Sequence, residues 1–194
     1  MEPEIMMLPV GVFLFRIYFR GGDYPGGWKE FRSFGPLASA RFDQHPEPRQ
    51  LHESFGILYG ASRIKTCVAE VFQEKRTVNT REREPWLVGF SLSERLPLLN
   101  LTGDWLTRAG ASMNINSGPR PKSRRWSRTI YTAYPEVVGL LYASSMHANQ
   151  PAVAFYERAA GAITPNPEIH VPLSHPGLAG GLEEMAKELG YDFT

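Results

Sequence analysis

The segment Ser62–Lys75 has the clearest periodicity in the chain and constrains the fold more than any other feature. Its apolar residues recur at the i, i+3, i+4, i+7, i+8 spacing that places them along one side of an α-helix. They are Ile64, Cys67, Val68, Val71 and Phe72. Ser62 belongs to the residue types favoured at an N-cap, so it is the predicted start of the helix. Such an apolar stripe has to be buried, so the neighbouring segments must supply a second layer.

Short segments rich in β-branched and aromatic residues predict that this second layer is a β-sheet. They are separated by turn-forming residues, since the chain contains 18 glycines and 16 prolines. The predicted strands are Val12–Tyr18, Gly56–Tyr59, Trp86–Leu92, Leu96–Leu101, Val137–Ala143, Ala152–Glu157 and Glu168–Leu173. Further helices are predicted at Arg124–Tyr134 and Leu182–Leu189. Mixed strands and helices in 194 residues predict a single domain of the α/β or α+β class.

Composition and charge exclude several classes of protein. With 21 basic and 20 acidic residues the net charge is +1, which gives no general attraction to nucleic acid or to anionic membranes. The single cysteine, Cys67, excludes an internal disulfide framework. The apolar run at residues 5–15 has about half of the roughly 20 residues needed to span a bilayer. We interpret this run as a buried strand and expect a soluble, cytoplasmic protein.

Common catalytic and cofactor motifs are missing from the sequence. No GxGxxG follows a strand and no GxxxxGK[ST] occurs, which argues against a Rossmann cofactor site and against a P-loop. No GxSxG elbow surrounds Ser144 or Ser145. The five histidines lack the spacing of metal ligands. We therefore expect neither a bound metal nor a resident cofactor.

Two charged residues stand within predicted core elements. Arg16 interrupts an apolar strand, where a charge is costly unless it is paired or the strand lies at a sheet edge. Glu70 lies roughly 130° from the centre of its helix's apolar stripe, at 100° per residue. Periodicity alone therefore predicts a solvated glutamate.

A basic cluster at residues 120–128 is open to three interpretations. It is a phosphate-binding patch for a nucleotide, a nucleic-acid contact or a solvated helix face. Its basic residues are Arg120, Lys122, Arg124, Arg125 and Arg128.

The order of these pieces resembles the RES-domain family, which is named for an Arg, a Glu and a Ser spread across the domain. One position departs from the family pattern, since Ala40 replaces the usual glycine before Arg41. Alanine would be strained there if the backbone needed a positive φ. The matching motifs are Phe15-Arg16, Ala40-Arg41-Phe42-Asp43, Gly56-Ile-Leu-Tyr59, Cys67-Val-Ala-Glu70-Val71, Trp126, Gly139-Leu-Leu-Tyr142-Ala-Ser144, and Asn149 before Ala152-Val-Ala-Phe155.

The resemblance implies an ADP-ribosyltransferase-like fold of mixed β-sheets with flanking helices. It implies one domain over residues 1–194, with a motif-bearing core at about 14–158 and a C-terminal extension at 159–194. The implied activity is cleavage of the nicotinamide–ribose bond of NAD+ by hydrolysis or phosphorolysis. NAD+ is then a consumed substrate, with inorganic phosphate as a candidate co-substrate.

The resemblance also implies a toxin that is restrained by a partner antitoxin with an Xre-like helix-turn-helix domain. A homo-oligomer within a toxin–antitoxin complex is a further expectation, and neither membrane association nor direct DNA binding is expected. Two alternatives stay open: transfer of ADP-ribose to a cellular protein, and a non-catalytic nucleic-acid-binding protein that uses residues 120–128.

Eight site residues follow from the resemblance. Glu70, Arg16 and Ser144 are implied as catalytic residues; the Tyr-x-Ser spacing favours Ser144 over the adjacent Ser145. The implied NAD-binding residues are Arg41, Tyr59, Trp126, Ser127 and Asn149.

Overall fold

A computed structural model of the chain describes residues 1–194 and contains twelve strands and four α-helices. The strands are β1 (Ile5–Leu8), β2 (Phe13–Phe19), β3 (Phe34–Gly35), β4 (Gln50–Leu51), β5 (Ile57–Ala61), β6 (Thr77–Val78), β7 (Pro85–Ser91), β8 (Leu96–Asn100), β9 (Gly139–Ala143), β10 (Pro151–Tyr156), β11 (Ile169–Pro172) and β12 (Asp192–Phe193). The helices are α1 (Ile64–Val71), α2 (Trp105–Arg108), α3 (Arg120–Ala133) and α4 (Pro176–Leu189).

Eight of the strands form one large sheet, in the order β1-β8-β9-β10-β5-β2-β7-β11. All neighbours in this sheet are antiparallel except β8 and β9, which are parallel. The small pairs β3–β4 and β6–β12 lie outside it. This mixed sheet with flanking helices confirms the predicted fold class.

The large sheet divides between β5 and β2, which are neighbours in its interior. These strands pair only at Phe15 and Ala61. At the other end of β5, Ile57 exchanges backbone hydrogen bonds with Arg32, which belongs to the loop region after β2, and not with β2 itself. An opening therefore remains beside the paired residues, in the middle of the sheet.

Apolar side chains are buried on both sides of the sheet. These side chains form two clusters. Ile17 and Val68 belong to the larger one, to which α1 contributes, and Leu14, Phe90 and Phe155 belong to the smaller one. Successive residues of a strand point to opposite faces, so the continuous apolar strands of the sequence fit a sheet that is covered twice.

The C-terminal segment at 159–194 is built into the same unit. Strand β11 pairs with β7 in the large sheet, and β12 pairs with β6. Helix α4 packs on α1, where the Tyr191 hydroxyl donates to the Ala69 carbonyl oxygen at 3.2 Å.

The seven predicted strands are confirmed, with ends that differ by no more than two residues. The predicted helix ends are less accurate. Arg63, in extended conformation, is the N-cap of α1, so the prediction of Ser62 was wrong. Helix α3 begins four residues before Arg124, because Pro121 fits the first turn, where its missing N–H is not needed. Helix α4 begins six residues before Leu182.

The apolar run at 5–15 is not one buried strand, as the sequence predicted. A turn that includes Gly11, at φ +77°, divides it into β1 and β2. Strand β1 lies at the sheet edge, where Ile5, Met6 and Met7 are exposed.

None of the four helices has the length and apolar content that crossing a bilayer requires.

Gly139 provides a test of the packing between β9 and β10. A Cβ at this position would lie 2.6 Å from the Ala154 carbonyl oxygen and 3.0 Å from the Phe155 Cα, so the backbone of β10 would have to move. We expect Gly139→Ala to lower the free energy of unfolding by about 1–3 kcal/mol, as for other overpacked sites. Urea unfolding measures this change.

Gly180→Ala is the matched control, since nothing lies within 4 Å of a Cβ at this position in α4. Removing a glycine from a helix interior should raise the free energy of unfolding by about 0.5–1 kcal/mol. A Gly139→Ala protein as stable as the wild type would contradict the close approach of β9 and β10.

Candidate active site

A cavity of about 400 Å³ opens where β2 and β5 part. Residues of both strands line it, together with the end of α1, the start of α3 and the loop at 36–49. Four of the eight predicted site residues are among its lining residues: Arg16, Arg41, Tyr59 and Glu70. The volume lies in the range of about 300–1,000 Å³ that is usual for small-molecule sites.

Glu70 extends from α1 into this cavity and is half-buried. Its Oε1 accepts a hydrogen bond from the Ser144 hydroxyl at 2.5 Å. Burial raises the pKa of the Glu70 carboxyl, and the Ser144 hydrogen bond and the charges of Arg41 and Arg120 offset that rise only in part. The solvated glutamate that periodicity predicts is therefore wrong, because the polar side of α1 faces a cavity and not bulk water.

Ser144 is fully buried at the end of β9 and is oriented toward Glu70 by the turn that follows it. Its Oγ accepts from the backbone N–H groups of Met146 at 3.3 Å and of His147 at 3.2 Å. The hydroxyl hydrogen is thus directed to the carboxylate. Ser145 lines the cavity but makes no hydrogen bond to Glu70, so the two adjacent serines have different environments.

Arg16 lies in the middle of the sheet, since β2 has neighbours on both sides. The interpretation as a solvent-facing arginine on an edge strand is therefore wrong. Its Nη1 donates to the carbonyl oxygens of Trp28 at 3.0 Å and Glu30 at 3.1 Å. Burial lowers the pKa of Arg16 to about 10, which leaves the guanidinium charged at neutral pH.

Arg41 is fixed by a hydrogen bond from its Nη1 to the Gly118 carbonyl oxygen at 2.6 Å. Burial lowers the pKa of Arg41, and the nearby charge of Arg120 lowers it further. Ala40 does not adopt a positive φ. Alanine in place of the family's glycine therefore causes no strain before Arg41.

Tyr59 is half-buried in β5 and lines the cavity beside Glu70 and Arg41. Burial raises the pKa of its phenol, so the ring presents a neutral aromatic surface at any ordinary pH.

The other three predicted residues, like Ser144, are not among the lining residues of the cavity. Trp126 packs edge-on against Trp105, with ring centroids 6.1 Å apart. The buried Ser127 hydroxyl donates to the carbonyl oxygen of Phe42 at 2.9 Å, next to Arg41. Asn149 is exposed at φ +58°, and its N–H donates to the Ser144 carbonyl oxygen at 3.0 Å. Ser127 thus binds the backbone next to Arg41, and Asn149 binds the backbone of Ser144.

Two cavity residues were missed in the sequence, Gln73 and Arg120. The Arg120 Nη2 donates to the Gln73 Oε1 at 2.8 Å, and the Gln73 Nε2 donates to the main-chain oxygen of Glu70 at 2.7 Å. The i+3 spacing of Gln73 from Glu70 was the available signal. Arg120 was visible only as a member of the basic cluster.

A third missed residue, Arg32, reaches the cavity from the loop that pairs with β5. Its Nη2 lies 2.8 Å from the buried Asp43 carboxylate. Burial raises the pKa of that carboxyl, but hydrogen bonding to His45 and the charge of Arg32 outweigh burial and bring it down to about 2. Arg32 therefore contacts a carboxylate directly, whereas Arg16 has no carboxylate oxygen within 4.0 Å.

The basic cluster at 120–128 divides by helix face. Arg124 donates to the Ala38 carbonyl oxygen at 3.2 Å and Arg128 to that of His45 at 3.5 Å, so both hold the loop at 36–49. Lys122 and Arg125 are exposed. The solvated interpretation fits these two residues only.

Comparisons with known proteins agree with this architecture. The chain is similar in fold to a chain in the crystal structure of the M. tuberculosis MbcT–MbcA toxin–antitoxin complex, with a TM-score of 0.57 and 14% sequence identity. That similarity covers 94% of this chain and 91% of the other. No curated protein matches the sequence. The sequence pattern of the RES domain matches residues 13–174, and the chain therefore belongs to the RES domain family.

Proposed function

We propose that the protein is the toxin of a toxin–antitoxin pair and cleaves the nicotinamide–ribose bond of NAD+. The observation that carries this proposal is the Glu70 carboxylate, directed into the cavity by Ser144 at 2.5 Å. Unpaired guanidinium groups accompany it, because neither Arg16 nor Arg41 has a carboxylate oxygen within 4.0 Å.

The residue types suit heterolysis of an N-glycosidic bond. The bonding electron pair leaves with nicotinamide, and positive charge moves from the pyridinium ring to an oxocarbenium-like ribose. A preorganised carboxylate stabilises that charge where it develops. Phosphate, or water that gives up a proton to the solvent, then adds to the same carbon. In this scheme Glu70 acts in its ionised form, and Ser144 fixes the carboxylate.

The other cavity residues fit the rest of the dinucleotide. Arg16 and Arg41 keep their charge when buried, and their planar donor groups match phosphate oxygens. The neutral Tyr59 ring offers a surface for the nicotinamide ring. NAD+ is then bound and consumed as a substrate.

Regulation by a partner is the second part of the proposal. The similar fold in the MbcT–MbcA complex supports a cognate antitoxin for this chain, for which we propose an Xre-like helix-turn-helix protein. The nucleic-acid alternative has less support, because Arg124 and Arg128 hold the loop at 36–49 and Arg120 faces the cavity.

Induced expression without a partner tests the activity directly. We expect the intracellular NAD level to fall before growth stops. Incubation of the purified protein with labelled NAD+ identifies the acceptor: hydrolysis or phosphorolysis gives only small products, whereas ADP-ribosyl transfer labels a macromolecule. Growth arrest at an unchanged NAD level would contradict NAD depletion and favour protein modification.

Glu70→Gln should reduce kcat by at least about 10²-fold, the size of effect seen when one preorganised electrostatic group is removed. The loss should appear in kcat and less in KM, because ribose gains its positive charge only near the transition state. The melting temperature should stay nearly constant, since glutamine still offers an oxygen to Ser144. Glu183→Gln, an exposed glutamate of α4, is the control and should leave kcat unchanged. Wild-type kcat in a folded Glu70→Gln protein would remove Glu70 from the mechanism.

The pH dependence of kcat/KM should report the raised pKa of Glu70 in the free enzyme. Activity requires the carboxylate, so kcat/KM should fall as the pH drops through a value above that of an ordinary glutamate. Ser144→Ala removes a hydrogen bond that lowers this pKa, so the acid limb should move to higher pH. Ser145→Ala removes no such bond and should leave the limb in place. Equal shifts in the two variants would contradict the assignment of Ser144.

A further inference from the structure

Arg41 and Arg120 place two positive charges on one side of the cavity. Arg41 is bound to the carbonyl oxygen of Gly118, which precedes Arg120 by two residues. Neither guanidinium has a carboxylate oxygen within 4.0 Å. Burial is the main cause of the lowered pKa of Arg41. The charge of Arg120 lowers it further, because the two guanidinium groups repel each other. Like charges held together in a partly buried site favour a bound anion.

Gln73 fixes the position of Arg120. Its Oε1 accepts from the Arg120 Nη2 at 2.8 Å, while its Nε2 donates to the Glu70 main-chain oxygen at 2.7 Å and lies 3.5 Å from the Glu70 Oε2. The first residue of α3 is therefore anchored to α1, within reach of the candidate catalytic carboxylate. One terminal nitrogen of Arg120 is used in this bond, and its other donors are available to a ligand.

We propose that Arg41 and Arg120 form a subsite for a phosphate-type anion, and that Gln73 keeps this subsite coupled to Glu70. The inference deepens the proposed function and rests on it for the identity of the physiological ligand. The chemistry fits either the pyrophosphate of a dinucleotide or free inorganic phosphate.

A bound anion should change the ionisation of Glu70. The groups that face this carboxyl are Arg41, Arg120, Tyr142, Cys67 and Tyr191. Burial raises the pKa of each of the last three, so they are neutral near pH 7. The two arginines are then the charges that lower the pKa of Glu70. An anion that neutralises them should raise it, and protonation of Glu70 should reciprocally strengthen anion binding.

Pyrophosphate binding to the purified protein tests the subsite without any need for catalysis. Calorimetry should find that Arg120→Gln weakens pyrophosphate binding about tenfold or more, the typical loss of a charge-assisted hydrogen bond. Arg125→Gln is the matched control: it makes the same change of charge at an exposed position of the same helix. It should weaken binding less than about twofold. Equal weakening by the two variants would overturn the subsite.

A second measurement needs no Arg120 variant. NMR of protein with ¹³C-labelled glutamate follows the carboxyl carbon of Glu70, whose signal is assigned by its loss in Glu70→Gln. The pKa of Glu70 should rise when pyrophosphate is bound. An unchanged pKa at saturating pyrophosphate would overturn the coupling. If the protein binds pyrophosphate as expected but leaves NAD+ intact, the proposed function is contradicted and the subsite is not.

The two sources of phosphate are separated by competition. If the subsite takes the pyrophosphate of the dinucleotide, ADP-ribose should displace inorganic phosphate from it. If it takes free phosphate, ADP-ribose and phosphate should bind together. Both results support a subsite, and failure of phosphate and pyrophosphate to bind at all would overturn it.

Discussion

The single point of pairing between β2 and β5 determines where a ligand can enter this protein. A fully paired sheet has no interior space, because neighbouring strands lie only about 5 Å apart. Here the ladder stops after Phe15 and Ala61, and Arg32 takes the place beside Ile57. Strands β2 and β5 can therefore carry polar residues that would otherwise be buried without partners. Arg16 is tolerated in the middle of the sheet because it faces this opening and two carbonyl oxygens.

Electrostatics in the opening depend on a balance around Glu70. Burial disfavours its charged form, whereas Ser144, Arg41 and Arg120 favour it, and burial has the larger effect. A carboxylate in this state is more basic than one in water and interacts more strongly with a nearby positive charge. Arg32 contributes less to that balance, because the buried Asp43 already neutralises it. The positive charges that act on Glu70 are those of Arg41 and Arg120, which have no carboxylate oxygen within 4.0 Å.

Local patterns in the sequence predicted the sheet well and the site only in part. Apolar strands such as Val12–Tyr18 depend on short-range composition and were located within two residues. Glu70 was misjudged by periodicity, because a helical wheel distinguishes apolar from polar faces but not bulk water from a cavity. The family resemblance singled out Glu70 as a site residue, and its side chain lines the cavity. Arg120 and Gln73 join α3 to α1 across the chain, and no local pattern encodes such a contact.

The motif residues outside the cavity have roles in the backbone structure and packing. Gly139 allows β9 to approach the backbone of β10, where a Cβ would lie 2.6 Å from a carbonyl oxygen. Asn149 occupies the left-handed region, which asparagine tolerates better than most residues, and its N–H binds Ser144. Ser127 holds the carbonyl oxygen next to Arg41. Ser127 and Asn149 thus act through the backbone on the segments that carry Arg41 and Ser144. Sequence resemblance alone does not separate them from ligand-binding residues, because both kinds occur within the same short motifs.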